Sequence, residues 1–145
     1  MEIDCAECGY IQARIEGSRC EALLDSGAEI NVMPLSMAKM MGINYRSDHA
    51  SPITGVGGLR VKTRGKATSV VVEVGGIRAS MIFHVMEGAS EIIFGKPFNL
   101  TFQAKYFVDD QGIYQGSIRQ GATEARLMIR KGKDTYKLNT IDTAL

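Results

Sequence analysis

Leu23-Leu24-Asp25-Ser26-Gly27-Ala28-Glu29-Ile30-Asn31-Val32-Met33 is the stretch on which the reading of this chain turns. Ala22, Leu23 and Leu24 form a short apolar run that reads as the end of a strand and delivers Asp25 to its tip. Gly27 supplies backbone freedom that a continuing strand does not need, so Ser26-Gly27-Ala28 reads as a break. Ile30 to Met33 then resumes an extended apolar pattern. A carboxylate held at such a strand end is partly shielded from water. The Ser26 hydroxyl beside it can hydrogen-bond around the loop, and Gly27 lets the backbone pass close to another chain.

Outward from this stretch the pattern is β-rich. Tyr10 to Ile15 is a strand candidate ended by the turn cluster Glu16-Gly17-Ser18, and Cys20 to Leu24 is the next strand. Pro34 opens one clear helix, Leu35 to Met41, with Gly42 as its stop. Met33, Met37, Met40 and Met41 lie in or beside it, and irregular core filling is preferred over a methionine-lined groove. Ser51 to Gly58 is turn-rich. Val61 to Val74 and Ile77 to Met86 flank Gly75-Gly76, a two-residue hairpin signal. In the second of these strands Ile77, Ala79, Met81, Phe83 and Val85 alternate with Arg78, Ser80, Ile82 and His84, which puts His84 on the less buried face as a surface histidine. Glu91 to Gly95 is an apolar run ended by glycine, and Lys96-Pro97-Phe98 starts a short helix. Phe102 to Val108 and Gly112 to Ile118 read as a hairpin. Arg126 to Arg130 and Thr135 to Leu138 read as another around Lys131-Gly132-Lys133. The sum is an all-β protein with one or two short helices. It forms one domain over residues 1–145, with 1–9 as a flexible lead and 119–145 as a C-terminal strand extension.

Composition narrows the function classes. The formal charge of +1 gives no electrostatic reason to bind nucleic acid or an anionic membrane. No apolar run approaches the roughly 18 residues of a membrane helix, and no signal-peptide pattern opens the chain. Three cysteines, an odd number, argue against a disulfide framework and for a reducing compartment. The expectation is an intracellular, cytoplasmic protein. Cys5 and Cys8 form a C-x-x-C pair, but a structural zinc site needs two more ligands, and Cys20, His49 and His84 are isolated. Free thiols, with no metal and no other cofactor, are the preferred reading. Gly55 to Gly58 would suit a phosphate cradle only if a helix followed, and Arg60 to Val74 reads as strand.

Leu23 to Met33 resembles the active-site strand and loop of the retropepsins, the retroviral-type aspartic proteases, and is most similar to those of gypsy-type long-terminal-repeat retrotransposons. Asp-Ser-Gly alone is common by chance. The apolar lead-in, Ala28-Glu29 and the return strand make it specific. Pro52-Ile53-Thr54-Gly55-Val56-Gly57-Gly58 resembles the glycine-rich flap of that family, a hairpin that closes over bound peptide. Ile92-Ile93-Phe94-Gly95-Lys96-Pro97 resembles the segment that threads behind the catalytic loop before a short helix. The three pieces fall in the family's order between Leu23 and about Leu100. The resemblance implies a dimer-forming, retropepsin-like acid-protease half-barrel and an aspartic endopeptidase that cleaves peptide bonds in polyprotein processing.

By the same resemblance Asp25 is the catalytic carboxylate and Ser26 locks two loops together. Gly27, Ala28 and Glu29 bind the substrate backbone, and Thr54, Gly55, Val56, Gly57 and Gly58 cover it. The chemistry needs two carboxylates sharing one proton, one activating water and the other protonating the scissile carbonyl. Asp4, Asp48, Asp109, Asp110, Asp134 and Asp142 lie in unlike contexts, so the second loop must come from a second subunit across a two-fold axis. The chain departs from many retroviral members in having Gly95-Lys96-Pro97 where they carry Gly-Arg-Asp or Gly-Arg-Asn, and lysine lacks the planar fork of arginine. Beyond about Tyr106 the match is poor. A catalytically silent dimerisation or peptide-binding module of the same fold is the alternative, since fold does not fix function. The intact Asp-Ser-Gly and the glycine flap favour the enzyme. A lone turn-capping aspartate would explain the tripeptide but not the ordered pieces that follow it.

Overall fold

The structure, a computed structural model, describes residues 9–47, 52–54, 60–111 and 114–131. β1 (Gly9–Ile15) and β2 (Ser18–Leu24) form the first hairpin, in register from Gly9↔Leu24 to Ile15↔Ser18. On β1 the side chains of Ile11, Ala13 and Ile15 are buried while Gln12 and Arg14 face solvent, the two-residue alternation of a half-buried strand. β3 (Val32–Pro34) leads into α1 (Leu35–Met41), which ends at Gly42 as the sequence predicts. Met33 is fully buried, Met37 and Met41 pack on the core from partly buried positions, and Met40 is exposed, so three of the four methionines fill core space.

β4 (Pro52–Thr54) pairs with the start of the long β5 (Arg60–Val74), and β5 turns back as β6 (Ile77–Met86). Gly75 and Gly76 take φ of 57° and 82°, the left-handed pair that a two-residue turn of this twist requires. β7 (Ile92–Phe94), α2 (Lys96–Thr101), β8 (Lys105–Val108), β9 (Tyr114–Gln120), β10 (Thr123–Leu127) and β11 (Arg130–Lys131) complete the described chain. The main sheet runs β11-β1-β2-β7-β3-β6-β5-β4. A further pairing of Arg14 with Glu73 and Ile15 with Val72 joins β1 to β5 and closes six strands into a ring. β10-β9-β8 form a separate three-stranded sheet. Inside the ring, Phe94 stacks on Phe98 at 4.6 Å and Phe98 on Phe102 at 4.8 Å, all three fully buried, which fixes α2 beneath β7.

Three expectations change. The hairpin expected from Arg126–Arg130 with Thr135–Leu138 is not the pairing seen. Thr123–Leu127 pairs with Gly116–Gln120, whereas Arg130 and Lys131 pair with Tyr10 and Gly9, and residues 135–138 lie outside the described ones. Arg130 earns that position through two hydrogen bonds to Glu21, at 2.6 and 3.0 Å, and by lying 4.8 Å from the centre of the Tyr10 ring. Gly9, placed in the flexible lead by sequence, is therefore the first residue of a strand paired on both sides. His84 is half-buried, not a surface residue, because β6 is flanked by both β3 and β5.

Cys20 is buried on the β1–β2 hairpin, its thiol 3.6 Å from the Ala13 carbonyl. Burial pushes its pKa up to about 11. Since the thiolate is the reactive form, Cys20 is expected to resist alkylation at pH 8 in the folded protein and to react once the chain is denatured. Mass spectrometry of a Cys5→Ser, Cys8→Ser variant checks this.

Candidate active site

The parallel ladder of β2 and β7 (Ala22↔Ile92, Leu23↔Ile93, Leu24↔Phe94) carries the chain to Asp25, whose N–H extends it by donating to the Phe94 carbonyl at 3.0 Å. The loop then closes on itself. The Ala28 N–H donates to the Asp25 carbonyl at 3.0 Å, and the Gly27 N–H donates to Asp25 Oδ1, also at 3.0 Å. The chain returns as β3, where Val32 pairs with Ile93, so β7 threads between the two arms of the loop. Where it leaves, the Lys96 N–H donates to the Ala28 carbonyl at 2.8 Å. A Cβ on Gly95 would lie 2.3 Å from the Ile30 carbonyl oxygen and 2.6 Å from that of Ala28. Only glycine allows this crossing.

Asn31 ties the crossing together. It is buried, and its Oδ1 accepts from the Gly95 N–H at 2.9 Å while its Nδ2 donates to the Ile82 carbonyl at 3.2 Å. Its own carbonyl accepts from the His84 N–H at 2.8 Å. One side chain thus links the Asp25 loop, β6 and the β7–α2 junction. Sequence reading did not single it out. The available signal was a polar residue inside the apolar return strand Ile30-Asn31-Val32-Met33, which must satisfy both ends of its amide if buried.

Asp25 is only 3% exposed, and its Oδ2 is buried with no hydrogen-bond partner among the described residues. A cavity of about 200 Å³ opens beside it. Leu24, Ser26 and Phe94 form the side belonging to the loop crossing, and Tyr106, Tyr114 and Ile129 bring the C-terminal strands against it. Asn99 also lines this space, and its Oδ1 accepts from the Tyr106 hydroxyl at 2.5 Å. Burial pushes the Tyr106 phenol up to about 12, so it remains a neutral donor through the acid and neutral range. These C-terminal residues fall where the retropepsin resemblance is weakest, which is why sequence reading missed them.

The remaining expected residues distribute as follows. Ser26, Gly27 and Glu29 are exposed on the loop, and Ala28 is half-buried. Ala28 and Ile30 pack over a small buried cluster of Val32, Met86 and Ile93, giving the loop an apolar floor. Thr54 ends β4 and pairs with Arg60, the first residue of β5. Gly55, Val56, Gly57 and Gly58 lie outside the described residues, as do Cys5, Cys8 and His49.

His84 contributes a pH dependence. Burial first, and the Lys66 charge opposite it second, hold its imidazole below the usual histidine range, and its Nδ1 is buried without a partner among the described residues. A depressed histidine pKa means that the folded state binds fewer protons than the unfolded chain. Stability is therefore lost as pH falls through the unfolded histidine value of about 6.5. His84→Gln is expected to lose less of its melting temperature than wild type between neutral pH and pH 5, as read by thermal unfolding at both pH values.

The sequence matches the family model described as aspartyl protease over residues 11–98. DNA damage-inducible protein 1 of Phaeosphaeria nodorum (strain SN15) is 29% identical over 112 residues, 75% of this chain and 25% of that protein. The chain thus spans about a quarter of that relative's length. The retroviral protease-like domain of Ddi1 from Leishmania major superposes with a TM-score of 0.60 at 20% identity, covering 86% of this chain and 96% of that one. EIAV protease, solved with the inhibitor HBY-793, superposes with a TM-score of 0.57 at 20% identity, over 69% of this chain and 92% of its own. At that identity the likeness is one of fold. The matched region runs from β1 to α2 and contains the whole threaded crossing around Asp25. The chain belongs to the aspartyl protease family and has the retropepsin-like fold.

Proposed function

We propose that this chain is one subunit of a homodimeric aspartic endopeptidase of the retroviral type, with Asp25 from each copy forming the dyad. The observation that carries this is the state of Asp25. One oxygen is pinned by the Gly27 N–H, and the other is buried and unpaired beside a cavity. A buried carboxylate oxygen without a donor is costly. A proton shared with a second carboxylate, or a water held between the two, removes that cost.

In the mechanism the ionised member of the pair takes a proton from water as the water oxygen attacks the scissile carbonyl carbon. The protonated member gives its proton to the carbonyl oxygen. The C–N bond of the resulting gem-diol then breaks as one carboxyl gives its proton to the leaving nitrogen and the other takes a proton from a gem-diol hydroxyl, which leaves an acid and an amine and restores the singly protonated pair. Ser26 locks the two loops to each other. Gly27, Ala28 and Glu29 hydrogen-bond an extended peptide, and Thr54 to Gly58 cover it. The apolar floor beneath Ala28 and Ile30 suits hydrophobic side chains of that peptide. Residues 1–145 act as one protease domain in this proposal. It works in the cytoplasm, needs no cofactor and takes a polyprotein segment as substrate.

Incubating the protein with a peptide library from acid to neutral pH tests this reading. Cleavage with a bell-shaped pH profile, blocked by a statine-type transition-state analogue, is expected. No turnover at any pH and no binding of the analogue would contradict it. That result would leave the silent dimerisation or peptide-binding module of the same fold.

A further inference from the structure

We propose that the outer face of β5 and β6 around Lys66 is a docking row for acidic side chains of a polypeptide held at Asp25, outside the segment that the site itself covers. This inference rests on the peptide-binding part of the endopeptidase reading and gives it a substrate class.

Between Arg60 and Lys66, β5 carries a basic residue at every second position. Thr63 and Gly65 are buried, whereas Arg64 is exposed and Lys66 half-buried, so Arg64 and Lys66 take the outer face. Lys66 stands in the middle of a row. Exposed Arg46 pairs with it on one side, through backbone hydrogen bonds of 2.9 and 3.1 Å, and His84 on β6 lies opposite it on the other. Residues directly opposite one another share a face, and like charges so placed repel. His84 feels the same field: after burial, the Lys66 charge is what holds its imidazole low. Compensation is thin. Among the described residues no carboxylate pairs with Lys66, and Glu87 reaches Arg64 at 3.4 Å, between side chains 65% and 48% exposed. An exposed pair of that kind contributes little. An anion laid across the row would relieve the repulsion.

Position selects a peptide carboxylate as that anion. β5 begins at the Thr54–Arg60 pair, beside the residues that cover the peptide in the proposed function. Lys66 lies about 20 Å further along the same strand, so a chain that continues beyond the covered segment can follow β5 to the row. Ile82, two residues before His84 and therefore on the same face, is 50% exposed and offers that chain an apolar contact. With a formal charge of only +1, the protein lacks the wide basic field that a nucleic-acid backbone needs.

Fluorescence anisotropy on the full chain carrying Asp25→Asn tests the row without turnover. The probes are labelled peptides with an apolar centre and a run of glutamates at either end, and the same peptides with glutamine in place of glutamate. A glutamate peptide is expected to bind at least about tenfold more tightly than its glutamine twin, and the advantage should shrink at high salt. Arg64→Glu with Lys66→Glu should abolish it, whereas Lys105→Glu, an exposed position on the other sheet, should keep it. Thermal unfolding checks that the variants fold, and if the double variant does not, Lys66→Gln decides. Equal affinity for the two sets, or an advantage lost equally in Lys105→Glu, overturns the row. Tighter binding of a labelled oligonucleotide than of any glutamate peptide, lost in the same double variant, gives the face to nucleic acid and also overturns it. A glutamate preference in a chain whose wild type shows no turnover keeps the row and removes the endopeptidase; turnover without the preference does the reverse.

Discussion

Asp25→Asn is expected to lower peptide cleavage by at least about 10³-fold, the scale of a lost acid–base group, while the fold keeps its melting temperature. The asparagine carboxamide has nearly the shape of the carboxylate, and its Oδ1 can still accept the Gly27 N–H that fixes the loop. It cannot exchange a proton with water or with a second carboxylate. Nδ2 takes the place of Oδ2, which is already buried without a partner among the described residues, so the substitution exchanges one unpaired buried polar atom for another and changes folding stability little. Cleavage kinetics and a melting curve on the same preparation separate the two effects. Residual cleavage within about tenfold of wild type would remove Asp25 from the catalytic role.

Asn31→Leu is expected to cost about 2–6 kcal/mol of folding stability, from a buried Gly95 N–H and a part-buried Ile82 carbonyl left unpaired at roughly 1–3 kcal/mol each. Leucine keeps the branching of asparagine at Cγ but is bulkier and cannot hydrogen-bond, so at this buried position lost pairing and overpacking act in the same direction. The Gly95 N–H and the Ile82 carbonyl both lose their partners. Because the Asn31 amide braces the strand that threads behind Asp25, cleavage at a temperature where the variant is still folded should fall as well. Denaturant unfolding measures the first effect and kcat the second. A stability loss below about 1 kcal/mol would show that water or a shifted backbone replaces these bonds, and that Asn31 is not a strut of the loop.

Much of this architecture was legible locally. The apolar run into Asp25, the break at Gly27, the Gly75-Gly76 turn and the Gly95 crossing are each announced by a few adjacent residues whose backbone needs are specific. The half-buried state of His84 was not legible, because alternation along β6 describes one strand while its burial depends on β3 and β5 on either side. The C-terminal pairing failed for a related reason. Lys131-Gly132-Lys133 has the composition of a turn, but Arg130 is held by Glu21 and Tyr10, more than a hundred residues earlier in the chain. The aromatic side of the Asp25 cavity was likewise invisible, since Tyr106, Tyr114 and Ile129 reach it only through the three-stranded sheet and the turn of the chain back to β1.

Subunit mixing tests the shared dyad most directly. Wild type and Asp25→Asn chains are combined in equal amounts at constant total concentration, allowed to exchange subunits, and assayed for peptide cleavage. If an active site needs Asp25 from both copies, only wild-type pairs cleave, and the rate falls to about one quarter of that of unmixed wild type under random pairing. A fall to about one half would mean that each chain cleaves with its own Asp25 alone, and would contradict the two-subunit site.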